Sequence, residues 1–464
     1  MSALVQPIAP NHVPDAQAQA ARQREKALAR LLMTYIGTGL AFMLLPGTFL
    51  GVWNLLSISA RQASDSVSPA WIQAHGHAQV FGWIGTFILG IGFYSIPKMR
   101  RTKGFALWQG WGCWAMWTAG VLLRWVATVY EWHWRWLLPA SAGLELLAFA
   151  IFFKAVSSHR PAEGTNAAQA DLGRSTQTES KPATSKPAKL ETWIFVVIAG
   201  SVGLLATLVA NLVGCVQVAL NAASPAFGHS FDQRFLVLLA WAFMVPFVWG
   251  FSARWLPIFL GLRPACDRGL MAMVAVNTAG VVLAMFGAFR AAVVLLLCSA
   301  VMSLLAVRVA FPAVQPAKIQ GVHKSFPVFV RLAYAWLVVA ALLGVWAAFS
   351  QHSDGIWGAS RHALTVGFVS TMVFAIGQRV LPAFSGMRLL YSTKLMAAAL
   401  ALLSLGCFLR VSSEVLAYHG IAQFAWKWLP VSAVIELTAV TLFAVNMVAT
   451  FLTTPPSARL VQVK

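Results

Sequence analysis

Residues 77–97 read HAQVFGWIGTFILGIGFYSIP, and residues 362–382 read HALTVGFVSTMVFAIGQRVLP. His77-Ala78 matches His362-Ala363, Gly82 matches Gly367, Thr86 matches Thr371, Gly92 matches Gly377 and Pro97 matches Pro382, all at an offset of 285. Both stretches are apolar and of a length that crosses a hydrocarbon core of about 30 Å. The same offset pairs Ser68 with Ser353. Both serines fit a helix N-cap, and Pro69 fits the first helical position. Further on, Arg124 matches Arg410 after a one-residue shift, and Leu138-Pro139, Ser141-Ala142 and Glu145 match Leu429-Pro430, Ser432-Ala433 and Glu436 after five more. So many aligned identities mark an internal repeat. A weaker third copy lies between them: Arg254-Trp255-Leu256-Pro257 echoes Arg379-Val380-Leu381-Pro382, and Val237 stands where the other copies have histidine.

Outward from these stretches, apolar runs of similar length recur along the chain. Apolar residues make up 59% of the sequence and charged residues 10%, against roughly 25% charged in ordinary soluble domains. The pattern predicts an all-α polytopic membrane protein with about twelve spans, at 31–55, 69–97, 105–129, 137–156, 192–220, 232–257, 270–288, 291–311, 327–349, 354–382, 395–412 and 428–451. The repeat divides them into three groups of four, over 31–156, 191–311 and 327–451. A polar N-terminal tail (1–30), an Ala/Ser/Thr/Pro/Lys-rich linker (157–190) and a C-terminal tail (452–464) complete the chain. Three groups of four differ from the two inverted halves of many transporters.

The net charge of +20 raises the question of nucleic acid. The positive residues cluster before the first span and in every second connection, notably from Lys154 to Lys189. That is the distribution of the positive-inside rule. It excludes a nucleic-acid partner and puts both termini in the cytoplasm, with the inner membrane of a bacterium as the expected location. The five cysteines are scattered, with no C-x-x-C and no C-x-x-C-H for covalent haem attachment.

With helix 1 running outward, His77 and His362 each lie about nine residues inside a span, roughly 13 Å at 1.5 Å per residue. Both fall in the outer leaflet. Two imidazoles at equal depth on different helices can ligate a planar haem between them. His75 and His77 form an H-x-H, and two positions along a helix are about 200° apart, so they face nearly opposite ways. His77 is the candidate haem ligand because only it has a counterpart; His75 aligns with Ser360. His75 remains for a second metal, a carbonyl or the headgroups. Arg124, Arg410 and Arg361 are candidates to neutralise haem propionates. Glu145 and Glu436 lie inside spans and need interior partners. They either pair with Arg124 and Arg410 across helices or serve proton movement.

The segment Arg361-His362-Ala363-Leu364-Thr365-Val366-Gly367 resembles the H-A-L-T-V-G segment of the NnrS family of haem- and copper-containing membrane proteins. The twelve-helix plan of three arcs also resembles the catalytic subunit of haem–copper oxidases, in which histidines on helices 2 and 10 hold the low-spin haem. These resemblances imply a non-covalent b-type haem, possible copper, and a role in nitric oxide metabolism or nitrosative stress. The chain departs from the oxidase pattern in two respects. Residues 232–288 contain no histidine, and the tenth span has only His362, so the usual ligands of a haem–copper binuclear centre are missing. Two other readings remain open: a quinol-linked electron carrier, and a transporter without cofactor in which the glutamates bind ions.

Overall fold

The computed structural model describes residues 15–100, 104–157, 191–351, 355–386 and 388–453. Among these the chain is helix and connecting loop, with no strand. The expected linker beyond Ser157, Ser353, His352 and the C-terminal tail beyond Thr453 lie outside the described residues.

Eleven helices are long and apolar enough to cross a membrane: α1 (Ala18–Arg61), α2 (Pro69–Met99), α4 (Trp134–Ser157), α5 (Thr192–Asn221), α6 (His229–Leu260), α7 (Asp267–Met285), α8 (Phe289–Ala306), α9 (Phe326–Phe349), α10 (Ile356–Phe384), α11 (Thr393–Tyr418) and α12 (Ala425–Leu452). The remaining expected span is α3 (Leu107–Val129), a helix of 23 residues. At 1.5 Å per residue it is about 34 Å long. Gln109 and its tryptophans, among them Trp108, Trp111 and Trp114, make it less apolar than the others.

The first helix departs most from expectation. The chain is helical from Asp15, where the sequence suggested a polar tail to residue 30. Ala, Gln, Arg, Glu and Lys dominate this stretch, and all are good helix formers. Tertiary contacts also pin it. Glu25 lies 2.6 Å from Lys98 and accepts from the Tyr94 hydroxyl at 2.6 Å, and Arg24 donates to the Phe105 carbonyl at 2.7 Å. The expected cap on α2 is present: the Ser68 hydroxyl accepts from the Ala70 amide at 3.3 Å, with Pro69 at the first helical position.

Helices α2, α6 and α10 are the interior ones. Between 61% and 78% of their apolar windows is buried, against 33–44% for the other eight. Each switches from α to π geometry at the same rank, at Ala78–Gly85, Leu238–Met244 and Ala363–Ser370. The switches directly follow His77, Val237 and His362, the three positions that the sequence alignment equates. π segments are rare and concentrate at functional sites. A fourth one, Met43–Phe49 around Pro46, interrupts α1. Trp83 of α2 meets Phe374 of α10 edge-on with centroids 6.0 Å apart. The bundle closes on itself where α12 packs on α1: the Ser59 hydroxyl donates to the Trp426 carbonyl at 2.6 Å, and Val52, Leu55 and Ile58 pack with Ala425, Leu429 and Ala433.

Candidate functional site

The two histidines of α2 part company, as a spacing of two on a helix requires. His75 turns to α1. Its Nδ1 lies 2.8 Å from the carbonyl oxygen of Gly47, inside the π segment. Gly51 gives the ring room, since a Cβ there would sit 2.6 Å from Cε1 of His75. A carbonyl only accepts, so Nδ1 carries the proton and Nε2 keeps its lone pair. His75 is within electrostatic reach of His362 and Arg410.

His362 has the same polarity. Its Nδ1 donates to the Gly358 carbonyl one turn earlier, at 2.9 Å, which again leaves Nε2 free. Glu414 of α11 stands beside the ring, with Oε2 3.4 Å from Nδ1. Arg410 reaches the same oxygen at 3.5 Å. The His362 side chain stays 27% accessible, although its helix is one of the three interior ones. Glu436 Oε1 and two of the Arg410 nitrogens, Nε and Nη1, are buried without a hydrogen-bond partner. Glu436 feels His362, Arg410 and Glu414. His75, His362, Arg410, Glu414 and Glu436 thus form one ionisable cluster carried by α2, α10, α11 and α12.

His77 faces another way. Its Nε2 lies 3.1 and 3.3 Å from the two carboxylate oxygens of Glu145 on α4, and its ring stacks on Phe81 with centroids 4.6 Å apart. Asn211 of α5 donates to Glu145 Oε2 at 3.1 Å. The Asn211 amide oxygen in turn lies 3.7 Å from the Cys215 thiol. Arg124 donates to Cys215 Sγ at 2.6 Å and lies over the Phe227 ring at 4.6 Å. His77 and Glu145 are both buried. In this group the coordinating nitrogen of the histidine is taken by a carboxylate, whereas His75 and His362 keep theirs.

The expected Arg–Glu pairs across helices are replaced by other contacts. Arg410 meets Glu414, four residues on along its own helix, and Arg124 meets a thiol and a ring. Arg361 donates to the Gln233 side chain of α6. The carboxylates do share one device. A Cβ on Gly120 would sit 2.8 Å from Glu145 Cγ, and one on Gly406 would sit 2.6 Å from Glu436 Cγ. These glycines are four residues before Arg124 and Arg410, so the repeat includes the notch that admits each glutamate. Sequence reasoning missed Glu414, Asn211 and Gln233. The Arg410-x-x-x-Glu414 spacing, which puts both charges on one helix face, was the available signal for the first. No group of three or more His, Cys, Asp or Glu side chains able to hold a metal ion occurs among the described residues.

Comparison with known proteins adds two findings. Residues 236–452 match a family described as a domain of unknown function (DUF8744). A solved structure of a heme-copper terminal oxidase dimer superposes with a TM-score of 0.65 at 13% identity, covering 92% of this chain and 85% of that one. At that identity the likeness is one of fold. No curated protein matches.

Proposed function

We propose that this is a haem-binding redox protein of the membrane, with a non-covalent b-type haem held between His75 and His362. One observation carries the reading. Both imidazoles give Nδ1–H to a backbone carbonyl, of Gly47 and Gly358, and so present Nε2 as a free donor. A carbonyl on the far ring nitrogen fixes the tautomer and orients a histidine ligand. His77 was the candidate from the repeat, but its Nε2 is engaged by Glu145. Arg410, with Nε and Nη1 unsatisfied in the interior, fits a propionate, and Arg361 and Arg124 are further candidates for that role. The residues present therefore fit the group. Haem iron, when bound there, supplies one-electron exchange. The oxidase fold supports this reading, and helices 2 and 10 are those implied by the resemblance stated above.

The resemblance of the segment from Arg361 to Gly367 to the NnrS family supports a role in nitric oxide metabolism or nitrosative stress. A quinol-linked electron carrier is the second reading, favoured by two free Nε2 atoms that would both be offered to the iron of a haem held there. Among the described residues no group of three His, Cys, Asp or Glu side chains offers a copper site. The basic connections support cytoplasmic termini in a bacterial inner membrane.

The test is an absorbance spectrum of the purified protein, oxidised and dithionite-reduced, with haem extraction. His75→Ala and His362→Ala should each abolish or strongly alter the b-type bands, and His77→Ala should keep them. Loss of haem in His77→Ala with retention in His75→Ala would restore the repeated histidine as the ligand. A normal spectrum in all three variants would sink the site.

A further inference from the structure

The two outer groups of helices share histidine, glycine, arginine and glutamate, yet only one of them adds a second carboxylate. Glu414 is offset by 286 from Thr128, and Gly358 by 285 from Gln73. Thr128 spends its hydroxyl on the Arg124 carbonyl of its own helix, at 2.8 Å. Glu414 instead reaches across to α10. The missing Cβ of Gly358 is what lets it in, because a Cβ there would collide with Glu414 Oε1. Arg410 holds the other oxygen at 3.5 Å. That oxygen, Oε2, is buried, has no hydrogen bond of its own and lies 3.4 Å from Nδ1 of His362.

We infer that Glu414 is a positioning residue that makes His362 a more basic iron ligand and lowers the reduction potential at that site. The inference rests on the haem reading above. The Nδ1 proton already goes to Gly358, so the carboxylate 3.4 Å away acts on the imidazole through its charge, which raises the basicity of the ligating Nε2. Its charge also favours the ferric state, which carries one positive charge more than the ferrous. Both effects act in the same direction, and burial weakens their screening. The glycine opposite Glu414 and the arginine beneath it are the parts that hold the charge in place.

The experiment is a redox titration, followed by absorbance, of the purified full-length protein and two variants. Glu414→Gln keeps the shape and removes the charge. Gly358→Ala keeps the charge and pushes it off the ring. Each variant should retain haem at wild-type content. Each should shift the ferric/ferrous equilibrium toward ferrous by on the order of tenfold, which is about 59 mV upward for a one-electron couple. Haem retained with an unchanged potential in both variants would overturn the inference and leave the haem reading standing. Loss of haem in both would make Glu414 a structural brace and would also overturn it. Wild-type protein that carries no haem would overturn the reading beneath it.

Discussion

Replacing Glu145 tests whether the His77 network holds the bundle together. The carboxylate Oε2 accepts from His77 Nε2 at 3.3 Å and from Asn211 Nδ2 at 3.1 Å. Glu145→Leu leaves both buried donors without an acceptor. In soluble proteins an orphaned buried donor costs about 1–3 kcal/mol. Hydrogen bonds between membrane helices average about 0.6 kcal/mol and reach about 1.7. Two donors at membrane values therefore predict a loss of about 1–3 kcal/mol. Glu145→Gln should cost less, under about 1 kcal/mol, since its oxygen can serve Asn211 and its amide can donate to Nε2 of the other His77 tautomer. Equilibrium unfolding in mixed micelles measures both. Haem content should stay at wild type, because His77 and His75 face opposite sides of α2. A Glu145→Leu protein as stable as wild type, or more so, would refute the reasoning. It would mean that desolvating the carboxylate outweighs its hydrogen bonds, as happens for some buried ion pairs.

The glycine notches give a second test. A methyl on Gly120 or Gly406 would press on Glu145 or Glu436 at 2.8 and 2.6 Å, so each Gly→Ala variant should lose about 1–3 kcal/mol by overpacking, read by the same unfolding assay. Topology is the third. Reporter fusions within 157–190 and at the C-terminus should read cytoplasmic, and one near residue 225 should read external; an external linker would invert the assignment and move His75 and His362 to the inner leaflet.

Much of the architecture was legible in the chain. Apolar runs of membrane length and their basic connections predict the spans, because lipid leaves the backbone no alternative to continuous helix. The repeat located α2, α6 and α10 as equivalent, and the structure gives them the same burial and the same π switch. Helix periodicity alone showed that His75 and His77 face opposite ways. The repeat favoured His77 as the partner of His362, but the rotation of a helix about its axis is set by its neighbours and is not carried by periodicity. Tertiary packing decided that. The Gly47 carbonyl in the π segment of α1 takes Nδ1 of His75, and Glu145 takes Nε2 of His77. The partners of the arginines were hidden for the same reason. Arg124 was matched to Glu145 by rank in the repeat, but a long side chain pairs with whatever lies within reach, and Cys215 of α5 lies closer. Glu414 passed unnoticed because its importance depends on a glycine on another helix, 56 residues earlier in the chain. Sequence by itself determined which groups lie within the membrane, and only the packed bundle decided which of their atoms remain free.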